Sequence, residues 1–186
     1  MTAFEKSPKI FVRQGYIRDV KPELPNRMLS EFQAWPKWHA QEVRDHSRFE
    51  HASCLRLRDM GMASAHFEQW ILSDGMDWLQ RVAGSKLSWA QEPSATRWKP
   101  GDYLSLHKDN TDVKIWTLTV FLSPFWSPHW GGNLHILDSW NDRWLYVPSD
   151  FDRLAFFYDQ THFVSQIATY CPETRYAITG WLKNED

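Results

Sequence analysis

Tyr103-Leu104-Ser105-Leu106-His107-Lys108-Asp109 is the stretch on which the reading of this chain turns. It has the pattern of a short β-strand that ends in His-x-Asp. With period two, Tyr103, Ser105 and His107 share one face, and Leu104 and Leu106 the other. A strand that delivers an imidazole and, two residues on, a carboxylate offers both to one metal ion. A third ligand has to come from elsewhere in the chain. His162, at the head of His-Phe-Val-Ser-Gln-Ile, is the best candidate. Two histidines and one carboxylate on one face of an octahedron leave three positions open. Such a set suits non-haem Fe(II) that must bind a cosubstrate and O2.

Outward from this stretch the pattern is one of short strands. Leu87–Glu92 and Ala95–Trp98 precede it. Lys114–Leu122, Asn133–Leu137, Trp144–Val147, Leu154–Phe157, His162–Ile167 and Arg175–Trp181 follow. Pro100-Gly101-Asp102, Pro124, Pro128, Gly131-Gly132, Pro148 and Pro172 punctuate them. Before residue 87 the pattern differs. Lys9–Val12 reads as an edge strand, and Asn26 as the cap of a short helix carrying Met28, Leu29 and Phe32, with Pro36 at or beyond its end. Phe67, Trp70, Ile71, Trp78, Leu79 and Val82 form one face of a single long helix over 64–82, stopped by Gly84 and expected to buttress a sheet. Residues 36–61 read as a solvated loop with weak strand character at 54–57. His39, His46 and His51 lie there at spacings that put no pair on a shared helical face, so they do not read as a metal site. Helices followed by many short strands predict an α+β fold whose β part is a sandwich or jelly roll.

Arg175 opens a strand on which Arg175, Ala177, Thr179 and Trp181 face one way and Tyr176 and Ile178 the other. A planar guanidinium beside a hydroxyl is a good receptor for a carboxylate, because it bonds both oxygens at once. Gly131-Gly132 reads as a tight turn. His129 and His135 are rival metal ligands of lower rank.

The 186 residues suit one domain, 1–186, with its core at about 87–182. A net charge of −2 argues against nucleic acid as a partner. No apolar run approaches membrane-spanning length, and Met1–Lys6 lacks the apolar core of a secretory signal. Cys54 and Cys171 make no disulfide framework, so a cytoplasmic location is expected. The 12 tryptophans are numerous enough both to fill a core and to line a pocket. Trp116, Trp126, Trp130 and Trp140 are the candidates for the pocket.

Taken in order, the motifs resemble one family. They are Trp98-Lys99-Pro100-Gly101-Asp102-Tyr103-Leu104, His107-x-Asp109, Thr117–Leu122, Gly131-Gly132, Asp152-Arg153-Leu154-Ala155-Phe156-Phe157, His162, and Arg175-x-x-x-Thr179-Gly180-Trp181. The ordered set resembles the Fe(II)/2-oxoglutarate-dependent dioxygenases, above all the prolyl-4-hydroxylase-like branch. The resemblance implies a double-stranded β-helix (jelly roll) with N-terminal buttressing helices. It implies Fe(II) held by His107, Asp109 and His162, and 2-oxoglutarate as cosubstrate with its far carboxylate on Arg175, assisted by Thr179, with Tyr103 nearby. The implied catalytic set is His107, Asp109, His162 and Arg175. Members of this family split 2-oxoglutarate to succinate and CO2 with O2 and remove hydrogen from an unactivated C–H. Three departures bear on the reading. Arg175 follows His162 by a longer interval than usual, Trp98 stands where Tyr is common, and Asn133 stands where an acid is common. Asp109 argues against the halogenating relatives. Trp181 occupies the position at which nucleic-acid-demethylating relatives carry a second Arg.

The expected function is therefore oxidation, most simply hydroxylation, of a small molecule such as an amino acid or biosynthetic intermediate, with O2 as the other partner. Hydroxylation of a peptidyl or prolyl residue is the alternative. A cupin-like metal- or ligand-binding module is the non-enzymatic alternative, disfavoured because the chain has no His-x-His.

Overall fold

The computed structural model describes residues 10–42, 47–51, 57–109 and 113–185. Lys9, His46, Cys54 and the N-terminal hexapeptide lie outside them, and so does most of the strand expected at 54–57. The elements in chain order are β1 (Ile10–Gln14), α1 (Leu24–Ala34), β2 (His39–Glu42), β3 (Ser47–His51), α2 (Met62–Ile71), α3 (Asp74–Ala83), β4 (Leu87–Trp98), β5 (Tyr103–His107), β6 (Ile115–Phe121), β7 (Leu134–Asp138), β8 (Arg143–Val147), β9 (Arg153–Tyr158), β10 (His162–Val164) and β11 (Arg175–Asn184). The fold is α+β, as its sequence predicts.

Every strand pair is antiparallel, in the order β1-β9-β6-β11-β4-β3-β5-β10-β7-β8, with β2 paired to β3. β1 is an edge strand, as expected. The order folds back on itself as two facing sheets, which β3 bridges by pairing with both β4 and β5. Side-chain alternation sorts the residues of the larger sheet into two cores. Leu118 and Val120 of β6, Leu154 and Phe156 of β9, and Ile178 and Leu182 of β11 pack under the helices with Met28, Phe32, Phe67, Ile71 and Leu79. Phe121, Phe157 and Ala177 point the other way, against Leu134, Ile136, Val147 and Val164 of the smaller sheet. Burying each large apolar side chain of this kind contributes about 1.5–3 kcal/mol.

Several elements differ from expectation. Asn26 is not a cap: Pro25 lets α1 begin earlier, at Leu24, behind Glu23. The single helix over 64–82 is two. Ser73 turns its hydroxyl back to the Gln69 carbonyl at 2.8 Å and leaves the helical conformation, which ends α2. Asp74 and Asp77 then sit favourably in the first turn of α3. Glu31 of α1 caps α2, accepting from the backbone N–H of Ala63 and of Ser64 at 2.8 Å each. The stop at Gly84 is as read, with φ 68° and its N–H on Gln80. Where a loop is expected over residues 36–61, the described part holds two paired antiparallel strands, β2 and β3. The two strands expected before residue 98 are one strand, β4. Pro93 falls where its register against β11 shifts, between Ser94 and Gln91, so the missing N–H costs no ladder bond. β10 stops at Val164, because the Ser165 and Ile167 backbones bond loops instead.

Candidate active site

β5 and β10 bring the two histidines together. His162 pairs with His107, but the next pair is Val164 with Leu104, so the register shifts between them. A bulge in β5 breaks the strict alternation expected there. Leu104 packs into the core between the sheets and lines the cavity, His107 faces Asp109 and His162, and Leu106 is 59% exposed.

Among the described residues, His107, Asp109 and His162 form a group whose ligating atoms all lie within 4.8 Å of one another. Asp109 Oδ1 is 3.5 Å from His107 Nε2, and its Oδ2 is 3.6 Å from His162 Nε2. Each imidazole uses its other nitrogen on the backbone. His107 Nδ1 meets the Ser105 carbonyl at 2.8 Å and His162 Nδ1 the Gln160 carbonyl at 3.0 Å. Such bonds fix the tautomer and leave Nε2 of each ring free to bind a metal. The Thr117 hydroxyl of β6 donates to Asp109 Oδ2. Burial works against charge on all three groups. It wins at His162, whose pKa is pushed down. At His107 the hydrogen bond to Asp109, the Ser105 carbonyl and the Asp109 charge outweigh it, and the pKa rises. At Asp109 burial is outweighed by His107, His162 and Thr117, and the pKa falls.

Arg175 is 1% exposed and forms no ion pair among the described residues. Its Nε donates to Ser149 Oγ at 2.9 Å, and its guanidinium lies 4.7 Å from the Trp98 ring and 4.8 Å from the Phe121 ring. Nη1 has no hydrogen-bond partner. Burial pushes its pKa down to about 9, which still leaves it cationic at neutral pH. A buried cation without a counter-charge is costly, and the natural compensation is an anionic ligand.

Arg175, Asp109 and His162 line one cavity of about 270 Å³. Thr179, Thr117, Thr119 and Trp181 also line it, so the inward face expected for β11 is present. Tyr103 is not among the lining residues; the bulge presents its neighbour Leu104 instead. The tryptophans at the cavity are Trp98 and Trp181, not those expected. Trp116 stacks on Phe156 beneath the helices, Trp126 donates to the Gly131 carbonyl, Trp130 packs on Trp126, and Trp140 is 74% exposed. His129 lies in a short 3-10 turn, and His135 stacks on Phe163, 4.4 Å away; neither joins the triad. Ser149 carried no signal beyond the neighbouring Pro148, and Thr117 lay in a quoted motif with no role assigned.

The donor set fits a divalent metal, and the unpaired Arg175 fits a dicarboxylate cosubstrate. Residues 93–183, which contain the triad, Arg175 and Thr179, match the family model of the 2OG-Fe(II) oxygenase superfamily. No curated protein is significantly similar in sequence. Solved structures share the fold at low identity. A Trichoplax adhaerens prolyl hydroxylase in complex with a hypoxia inducible factor oxygen degradation domain peptide fragment is 17% identical, with TM-score 0.75 over 96% of this chain and 84% of that one. A Pseudomonas putida prolyl-4-hydroxylase is 14% identical, with TM-score 0.71 over 96% and 94%. HygX from Streptomyces hygroscopicus, with nickel and 2-oxoglutarate bound, is 13% identical, with TM-score 0.63 over 96% and 84%. Residues 93–183 thus carry the pattern of the 2OG-Fe(II) oxygenase superfamily, whose members are oxidoreductases that use Fe(II) and 2-oxoglutarate.

Proposed function

We propose that this oxygenase oxidises an unactivated C–H bond of a small molecule, most simply by hydroxylation. In this reading His107, Asp109 and His162 hold the iron, and Arg175 receives the far carboxylate of 2-oxoglutarate with Thr179 beside it. The observation that carries it is one cavity lined by a buried arginine without a counter-charge and by Asp109 and His162, two members of a two-histidine, one-carboxylate group that His107 completes. When bound, Fe(II) with 2-oxoglutarate and O2 supplies the oxidising power for C–H cleavage.

The chain's own groups bind and orient. The backbone carbonyls of Ser105 and Gln160 hold the imidazoles with Nε2 free. Thr117 fixes the Asp109 carboxylate. Trp98, Leu104, Leu134 and Val164 give the cavity apolar walls that keep water from the reacting centre.

Cavity size and charge favour a small substrate. Ligand pockets start at about 300 Å³, and these 270 Å³ must hold the cosubstrate as well. Apart from Asp109, His162 and Arg175, the described lining residues carry no ionisable side chain, so the part of the substrate that enters is uncharged. A prolyl residue of a peptide is the second reading. It is favoured by the fold shared with two prolyl hydroxylases, one in complex with a peptide fragment.

The test is an anaerobic titration with Fe(II) and 2-oxoglutarate, following the weak visible charge-transfer band of the chelate, with His107→Ala and Arg175→Ala in parallel. The band is expected in the wild type, absent in His107→Ala, and shifted to far higher 2-oxoglutarate in Arg175→Ala. A folded wild type with no band would rule the reading out. Succinate release with small metabolites, set against prolyl peptides, then separates the two substrate classes.

A further inference from the structure

We propose that Ser149 is a positioning residue for 2-oxoglutarate, acting through Arg175. This rests on the reading above, in which Arg175 takes the far carboxylate.

Ser149 lies in the connection between β8 and β9, two residues after Val147, is 0% exposed, and its hydroxyl has a fixed direction. It donates to the Gly132 carbonyl at 2.7 Å, so toward Arg175 Nε, at 2.9 Å, it can only accept. Its backbone N–H donates to Asn133 Oδ1 at 3.1 Å, and the Asn133 amide reaches the Pro128 carbonyl at 3.5 Å. Arg175 is thereby tied to the Gly131-Gly132 turn. The turn itself allows no variation: with φ 69°, a Cβ at Gly131 would stand 2.0 Å from the Gln166 carbonyl oxygen.

The consequence for the ligand follows from guanidinium geometry. The group is planar and its donors keep a fixed fork. Holding Nε on Ser149, with the Trp98 and Phe121 rings against the guanidinium, sets the plane and rotation of the whole group. Nη1 is left as a donor without a protein partner. A carboxylate then meets a pre-oriented fork and loses no affinity to ordering it. Without the serine oxygen, Nε–H competes for the same carboxylate and the fork is free to turn.

The experiment compares wild type, Ser149→Ala and Ser149→Cys by the anaerobic Fe(II) chelate band, using two oxo acids. 2-Oxoglutarate has the far carboxylate. 2-Oxopentanoate has the same chain length and oxo-acid end but a methyl in its place. Ser149→Ala is expected to weaken 2-oxoglutarate about tenfold, the equivalent of one hydrogen bond to a charged group, and to leave 2-oxopentanoate and Fe(II) affinity unchanged. Ser149→Cys is slightly larger and keeps a weaker acceptor; it is expected to fall between the two, and it decides the matter if the alanine variant does not fold. Unchanged 2-oxoglutarate affinity, or equal weakening of both acids, would overturn the role of Ser149 while leaving the cosubstrate reading intact. Absence of a band in wild type with 2-oxoglutarate would remove the cosubstrate reading, and the role of Ser149 with it.

Discussion

His162 of β10 stands opposite His107 of β5, while two residues further along β10 Val164 stands opposite Leu104, three residues back from His107. The extra residue in β5 separates two leucines that regular alternation would put on one face. Leu104 packs into the core between the sheets and lines the cavity, whereas Leu106 is largely exposed. Leu106→Ser is therefore expected to change unfolding free energy by less than about 0.5 kcal/mol, and Leu104→Ser to cost about 2 kcal/mol. Urea denaturation of both variants checks this. Equal losses would mean that the strand is regular.

The same bulge marks a boundary of what the sequence makes legible. The His-x-Asp end of β5, the histidine opening β10 and the Arg-Thr-Trp face of β11 are read from residue type and period two, and all three come together at one site. The bulge has no local sequence signal, so the side on which Tyr103 falls was not legible. Ser149 was equally silent. Its part depends on Gly132, Asn133 and Arg175 meeting in space, and nothing about an isolated serine after proline announces that. At the helices, period 3.6 identified the buried face, but it cannot see the single hydroxyl of Ser73 that cuts one helix into two.

Thr117 offers a test of how the carboxylate is held. Its hydroxyl donates to Asp109 Oδ2, the oxygen that also faces His162. Thr117→Val keeps the shape and β-branching and removes the donor. Partners of this kind, one step out from a metal, typically contribute 10–100-fold to metal affinity. A loss of that order is expected for Fe(II), read by competition with a metal-sensitive dye. A wild-type affinity would mean that Asp109 needs no such support.

The pKa shifts at the triad predict opposite pH trends for the metal-free and metal-bound protein. The folded pKa of His107 is raised, so its pairing with Asp109 stabilises the metal-free fold in full below the unfolded histidine value of about 6.5. That contribution is lost as pH rises through the folded value. A metal needs the same nitrogen without its proton, so metal affinity rises over the same interval. His162, held neutral by burial, does not oppose it. Between about pH 6 and pH 8, around the ordinary histidine range, the increase in melting temperature caused by Ni(II), a redox-silent stand-in, is expected to grow. His107→Gln should abolish the trend. A shift independent of pH would show that the His107 proton does not compete with the metal.

Arg175 sets stability against ligand binding. Its buried cation forms no ion pair among the described residues, and the bond to Ser149 offsets only part of the desolvation. Replacing such a group by an apolar side chain of similar length removes that cost. Arg175→Met is therefore expected to melt no lower than wild type when both are free of 2-oxoglutarate, even though it leaves the Ser149 oxygen without its donor. In the presence of Ni(II), 2-oxoglutarate at 100 times its dissociation constant should stabilise wild type by about 2.7 kcal/mol. At the same concentration it should leave Arg175→Met nearly unmoved. Thermal melts of both proteins with and without 2-oxoglutarate measure the two quantities together. If Arg175→Met is destabilised in the ligand-free state by several kcal/mol, the guanidinium is an element of the core rather than a receptor kept at a cost for an anion.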